Sequence, residues 1–137
     1  MKRHLLLFYL NIFLFLSVGN GEEVKLITSV NSEFTTIHEE TIRNLYLGRE
    51  KFVENKLVEI VENKKAHNRF LKLYVRKDKR AYAGIWRMMV FTGKSLAPKE
   101  FDSEESLLEY IAKNKNVIGY TIEEVDDPRI IVINMIK

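Results

Sequence analysis

A chain of 137 residues with 22 Lys and Arg, 19 Asp and Glu and no cysteine has room for a single buried core, and it excludes both disulfides and thiol chemistry. Lys2 and Arg3 supply two of the basic residues, so the rest of the chain sets 20 against 19. That near-neutral balance argues against a nucleic-acid or anionic-membrane footprint.

The first residues read as a leader. Lys2-Arg3-His4 is a basic start, Leu5 to Leu16 is apolar except for Asn11, and Ser17 to Gly21 supplies small residues. This is the pattern of a secretory signal peptide with cleavage after Gly19 or Gly21. The rival is a retained anchor, but the apolar run is shorter than the roughly 20 residues that span a bilayer. No cysteine follows it, which excludes a lipid-modified N-terminus. The expected division is a signal peptide over 1–21 and one exported α/β domain over 22–137, periplasmic or secreted.

From Val24 to Val30 the alternation of Val24, Leu26, Thr28 and Val30 predicts a half-buried strand. Ile37 to Leu47 predicts a helix with Ile42, Leu45 and Tyr46 on one face, Glu39-Glu40 in its first turn and Gly48 as its left-handed stop. After a polar linker, Leu57 to Val61 reads as a second strand. Asn63 then caps a helix with Ala66, Phe70, Leu73 and Tyr74 as its apolar stripe.

Asp78 caps the following helix, which is apolar almost all round and is expected to be the most buried: Tyr82, Ile85, Trp86 and Met89 on one stripe, Met88 and Val90 on the other side. Gly93 ends it. Asp102 and Glu105 form a capping box for a helix with Leu107, Leu108 and Ile111 inward, which closes at Asn114 to Asn116. Val117 to Tyr120 is a strand, Asp126-Asp127-Pro128 a turn, and Ile130 to Ile133 a β-branched run of the kind covered on both faces. Strands alternating with helices predict an α/β sandwich on one mixed sheet.

Three landmarks stand out in this order: Leu45-Tyr46-Leu47-Gly48, then Trp86 ahead of Phe91-Thr92-Gly93-Lys94, then Val117-Ile118-Gly119-Tyr120. From about Val24 to Tyr120 the set resembles the second lobe of the phosphate-type periplasmic substrate-binding proteins, and most of all their short single-domain members. The resemblance implies one lobe of a type II periplasmic-binding-protein-like fold, a mixed sheet flanked by helices, at about half the length of a two-lobed binding protein. It further implies an oxyanion held at helix N-termini across an interlobe cleft, one of them following a strand of this lobe through a Gly-Ser-Gly-Thr type loop. Here the corresponding stretch is Asn63-Lys64-Lys65-Ala66-His67-Asn68 running into Arg69, with no serine, threonine or glycine.

Lys64, Lys65, His67 and Arg69 crowd the start of a helix, where cations are disfavoured by the dipole. Two readings stay open. An anion docks there, with Asn63, Lys64, Lys65, His67, Asn68 and Arg69 as the candidate site, or the stretch is a solvated helix start whose charge is offset by Glu59 and Glu62. His67 also has the spacing to pack beside the core, and with His38 far away in sequence no metal site is expected. Arg76 to Arg80 is either a solvated loop or a partner-docking patch. The acidic turn Glu123-Glu124 with Asp126-Asp127 lacks the spacing of a calcium loop.

No Gly-x-Ser-x-Gly elbow, His-Glu-x-x-His or P-loop occurs, so no enzyme and no cofactor is expected. Two functions compete: an exported anion- or solute-binding lobe, binding phosphate or another oxyanion weakly or as a homodimer that restores a cleft, and a protein-interaction module for an envelope partner that has kept the fold without the ligand.

Overall fold

The computed structural model describes residues 23–137. The expected leader, with its cleavage at Gly19 or Gly21, lies outside the described residues. β1 (Lys25–Ser29), β5 (Glu59–Asn63), β6 (Lys99–Phe101), β7 (Val117–Thr121) and β8 (Ile130–Val132) form one sheet in the order β6-β5-β7-β1-β8. β5 runs parallel to β6 and to β7, whereas β1 is antiparallel to both β7 and β8, so the sheet is mixed. β2 (Thr36–His38) pairs in parallel with β9 (Asn134–Ile136), and β3 (Phe52–Val53) with β4 (Lys56–Leu57) makes a hairpin. Glu54 and Asn55 at its turn both have positive φ, 49° and 68°, the twist that suits a two-residue hairpin.

The period of two along the strands divides the core into two layers. Leu26, Ile118 and Tyr120 face α1 (Glu39–Tyr46), α2 (His67–Phe70) and α3 (Lys79–Phe91). Ile27, Val61 and Val117 face α4 (Glu104–Lys113) through Leu107 and Ile111. Gly119 belongs to this second face because a Cβ there would stand 2.7 Å from Ile111 Cδ1 and 3.1 Å from Val61 Cγ2. Phe70 stacks on Tyr120 with ring centroids 3.8 Å apart, and Tyr46 meets Phe70 edge-on at 4.6 Å.

Several expectations hold in detail. α1 buries Ile42, Leu45 and Tyr46, and Gly48 closes it at φ +72°. Asp78 Oδ1 accepts the Ala81 N–H at 2.7 Å and caps α3, and Gly93 follows that helix at φ +74°. Trp86 is core, its Nε1–H donated to the Tyr46 carbonyl at 2.9 Å.

Others are corrected. Asn63 is the last residue of β5 and not a helix cap; α2 begins at His67, and no side chain caps it. The helix then widens into a π-turn over Leu71–Val75, closed by Arg76 N–H to the Leu71 carbonyl at 2.6 Å. One extra residue in the turn rotates Leu71 and Val75 inward and leaves Leu73 half exposed in place of its expected burial. The residue that caps α4 is Ser103, whose Oγ accepts the Ser106 N–H, while Asp102 pairs with Lys64. α3 is not the most buried helix: Tyr82 and Trp86 are buried, but Met88, Val90 and Phe91 face outward. β8 is an edge strand with Val132 half exposed, so it is not covered on both faces.

Candidate functional site

β5, β6 and β7 run in one direction, so Asn63, Phe101 and Thr121 end on the same rim of the sheet. From β5 the chain leaves through α2 and α3 on one face, and from β6 it returns through α4 on the other. Crevices of open α/β sheets lie at such a divergence, outside the carboxyl ends of the strands. A cleft of about 430 Å³ opens there, lined by Glu62, Lys64, His67, Asn68, Lys79, Tyr82 and Trp86, with Ala97, Pro98 and Glu100 beyond.

Its floor is a buried polar cluster. Glu62, on β5, is 4% exposed. Tyr120 of β7 donates its hydroxyl to Glu62 Oε1 at 2.7 Å, and Tyr82 of α3 donates to Oε2. His67 opens α2 with Nδ1 3.0 Å from the Tyr120 hydroxyl oxygen and 3.5 Å from Glu62 Oε1. Because Tyr120 commits its proton to the carboxylate, its oxygen is the acceptor for the His67 Nδ1–H. Nε2 is then the imidazole nitrogen left for the cleft. Burial, then the Glu62 charge, pushes the Tyr82 and Tyr120 hydroxyls far above the ordinary tyrosine range, so both stay protonated donors.

The sequence-proposed residues separate once placed. Lys64, His67 and Asn68 line the cleft. Asn63 is buried and fully engaged: its amide N–H₂ reaches Glu104 Oε1 and the Tyr120 carbonyl, each at 3.0 Å, and Oδ1 accepts the Lys65 N–H at 3.1 Å. Lys65 and Arg69 are exposed and do not line it. The loop also closes on itself, since Lys64 N–H bonds the Phe101 carbonyl at 3.0 Å and Ala66 N–H the Asn63 carbonyl at 3.2 Å. Three successive backbone donors that could cradle an anion are thereby taken.

Lys79, Tyr82, Tyr120, Glu62 and Glu100 were not foreseen as members of this site. A carboxylate at Glu62, directly after the apolar pair Ile60-Val61 of β5, was the one signal available, since a buried charge needs partners. Lys64 keeps an ion pair with Asp102 at 3.1 Å, which raises its ammonium pKa; Lys79 has no carboxylate partner among the described residues.

A larger groove, about 910 Å³, opens at the amino ends of the same strands beside Glu59, Lys99 and Val117. Its polar groups are engaged elsewhere: Glu59 accepts from Tyr110, Lys115 pairs with Glu33 at 2.7 Å and Lys113 with Glu109 at 3.2 Å. No polar set converges there, so the smaller cleft is the candidate site. Among the described residues no group of three or more His, Asp or Glu could hold a metal ion, and Asp127 gives both oxygens to Arg129.

No family model and no curated protein matches the chain. Solved structures do. One is described as a phosphate ABC transporter substrate-binding protein with bound phosphate from Clostridium perfringens, with a TM-score of 0.62 at 14% identity over 82% of this chain. Another is an ABC-type phosphate transport receptor from Vibrio cholerae, with a TM-score of 0.53 at 8% identity over 82% of this chain. The chain spans 44% and 45% of those proteins, under half their length. The shared fold is that of a periplasmic binding protein.

Proposed function

We propose that this protein is an exported, non-catalytic, solute-binding-like lobe that holds phosphate or another small oxyanion weakly in the cleft above Glu62 and His67. The observation that carries the reading is the cleft's place outside the carboxyl ends of parallel strands, with a pinned imidazole in its wall and Lys64, Asn68 and Lys79 on its rim. Likeness of fold to a phosphate-bound neighbour supports the anion class by analogy. Of the six sequence-proposed residues, Lys64 and Asn68 are the direct donors in this reading, joined by Lys79, while His67, whose Nδ1–H is held by Tyr120, donates through Nε2 only as an imidazolium. Asn63 positions the loop, and Lys65 and Arg69 contribute only to the local potential.

The lobe supplies one wall of the cleft, and in this reading a second copy supplies the opposite wall. Thermal shift against phosphate and sulfate at low ionic strength tests the site. A ligand at a hundredfold excess over its Kd stabilises the folded state by about 2.7 kcal/mol, so the expected result is a saturable rise in Tm. The double variant Lys64→Ala/Lys79→Ala should lose it, and an unchanged rise in that variant refutes the site. Export predicts a purified protein that begins at Asn20 or Glu22 on N-terminal sequencing.

A second reading rests on the loop itself. The engaged N–H groups of Lys64, Lys65 and Ala66 favour a module that keeps the fold for protein contacts. It predicts no anion-dependent shift at all and a stable complex with an envelope protein.

A further inference from the structure

From Lys79 to Lys99 the chain holds five basic residues (Lys79, Arg80, Arg87, Lys94, Lys99) and no acidic one. Every carboxylate of the sequence lies outside this segment. The segment comprises α3, the turn after it and the first residue of β6, and all five cations are exposed. None has a carboxylate partner among the described residues, and with Lys99 Nζ held 4.3 Å from the centre of the Tyr110 ring on α4, Lys79, Arg80, Arg87 and Lys94 are the cations left to α3 and its turn.

The same segment exposes its apolar side chains. Ala81, Gly84, Met88 and Phe91 recur at helical spacing on the side of α3 opposite Tyr82 and Trp86. Nothing approaches the Gly84 Cβ position within 4 Å, Met88 is 63% exposed, and Phe91 is 86% exposed. Lys94 N–H returns to the Met89 carbonyl at 2.9 Å, so the chain turns tightly and presents Leu96, also 86% exposed, one turn beyond the helix end. Arg80 and Arg87, seven residues apart, flank the apolar stripe along its length.

We infer that this face of α3 docks on an anionic phospholipid surface. The arrangement is that of an interfacial amphipathic helix: cations beside an apolar stripe, with no carboxylate between the Asp78 cap and Glu100. Phe91 and Leu96 stand clear of the surface, as side chains that enter a soft acyl boundary do; a rigid protein groove would be matched by a concave or flat patch. Each Lys or Arg near such a surface adds about 1 kcal/mol of attraction within a Debye length. The docking is peripheral, since no described helix is long and apolar enough to cross a membrane.

Trp86 is the single native tryptophan, so the difference in emission between Phe91→Trp and the wild-type chain reports the surroundings of position 91 and not those of apolar segments elsewhere. On adding phosphatidylcholine–phosphatidylglycerol vesicles the emission of the introduced tryptophan should shift to the blue, while pure phosphatidylcholine leaves it unmoved. The triple variant Arg80→Gln/Arg87→Gln/Lys94→Gln in the same background should weaken the partition at least about tenfold, and added salt should do likewise. Emission unmoved by anionic vesicles, or a partition indifferent to the three substitutions, overturns the inference. So does a stable complex with a soluble acidic protein that Phe91→Ser abolishes while vesicles leave the introduced tryptophan unchanged; that result would give the face to a protein partner.

Discussion

Removing the hydroxyl of Tyr82 isolates what the buried Glu62 carboxylate requires. Tyr82→Phe takes away one of its two phenolic donors without opening a cavity, and hydrogen bonds to charged groups are worth about 1.5–3 kcal/mol. The variant should lose about 2 kcal/mol in urea denaturation at neutral pH. It should also lose less on going to alkaline pH. Tyr46, Tyr82 and Tyr120 all have hydroxyls raised by burial first and by the Glu62 charge second. Above about pH 10 the unfolded chain releases these protons and the folded chain retains them, so the folded state binds more protons and stability falls as pH rises. Each such tyrosine contributes a slope of about 1.4 kcal/mol per pH unit, fully stabilising below its unfolded pKa and lost above it. Stability of the wild type measured between pH 9 and 11 should therefore fall more steeply than that of Tyr82→Phe. At this scale the sequence was legible where one residue and its neighbours decide: Gly48 at a positive φ, Asp78 at a cap, Trp86 in the core. Glu62, His67, Tyr82 and Tyr120 come from four separate elements, and nothing local to any of them announces the other three.

Among the elements, α3 shows why periodicity alone misjudges burial. An all-round apolar pattern reads as a helix enclosed on every side, yet the sheet and α1 cover only the Tyr82, Ile85, Trp86 and Met89 stripe. Gly48 lets α1 end against that stripe, with the Met89 methyl 2.5 Å from the place a Cβ would occupy. The opposite stripe finds no neighbour, which is a fact of tertiary arrangement that no window of sequence contains. β2, β6 and β9 escaped for a different reason: three residues are too few to display a period of two. The π-turn escaped because one extra residue per turn breaks the 3.6 spacing on which Leu73 was judged. The caps are more secure. Asp78 supplies the single side-chain bond at the start of α3, so Asp78→Ala should cost about 1 kcal/mol, seen as a lower urea midpoint with an unchanged slope. An unchanged midpoint would mean that packing of Tyr82 and Trp86 holds the first turn without its cap.

Over the whole molecule, net charge concealed what position reveals. A near-neutral count argued against an anionic surface as a partner, but it averages an acid-free, cationic stretch at 79–99 with a remainder that holds every carboxylate of the sequence. The sheet order carries a second consequence that composition does not show. β1, the first strand described, sits between β7 and β8, the strands that close the fold some 90 residues later. Leu26, Ile27 and Thr28 are all buried there, and Thr28 Oγ1 bonds the Val117 carbonyl at 2.7 Å. The sheet is therefore incomplete until the two ends of the domain meet, a non-local topology of the kind that folds slowly. The ends are unequal in what they hold. β9 pairs only with the three-residue β2, and its side chains are exposed or half-buried, while Ile133 just before it is buried. Deleting residues 134–137 should leave a folded domain with a lower urea midpoint, because one short ladder is lost and the five-stranded sheet is intact. A chain that starts after Thr28 should show no cooperative transition by circular dichroism, since β7 and β8 would then face each other across an empty strand position. Cooperative unfolding in that truncated chain would mean that β8 can close directly on β7 and that β1 is dispensable to the core.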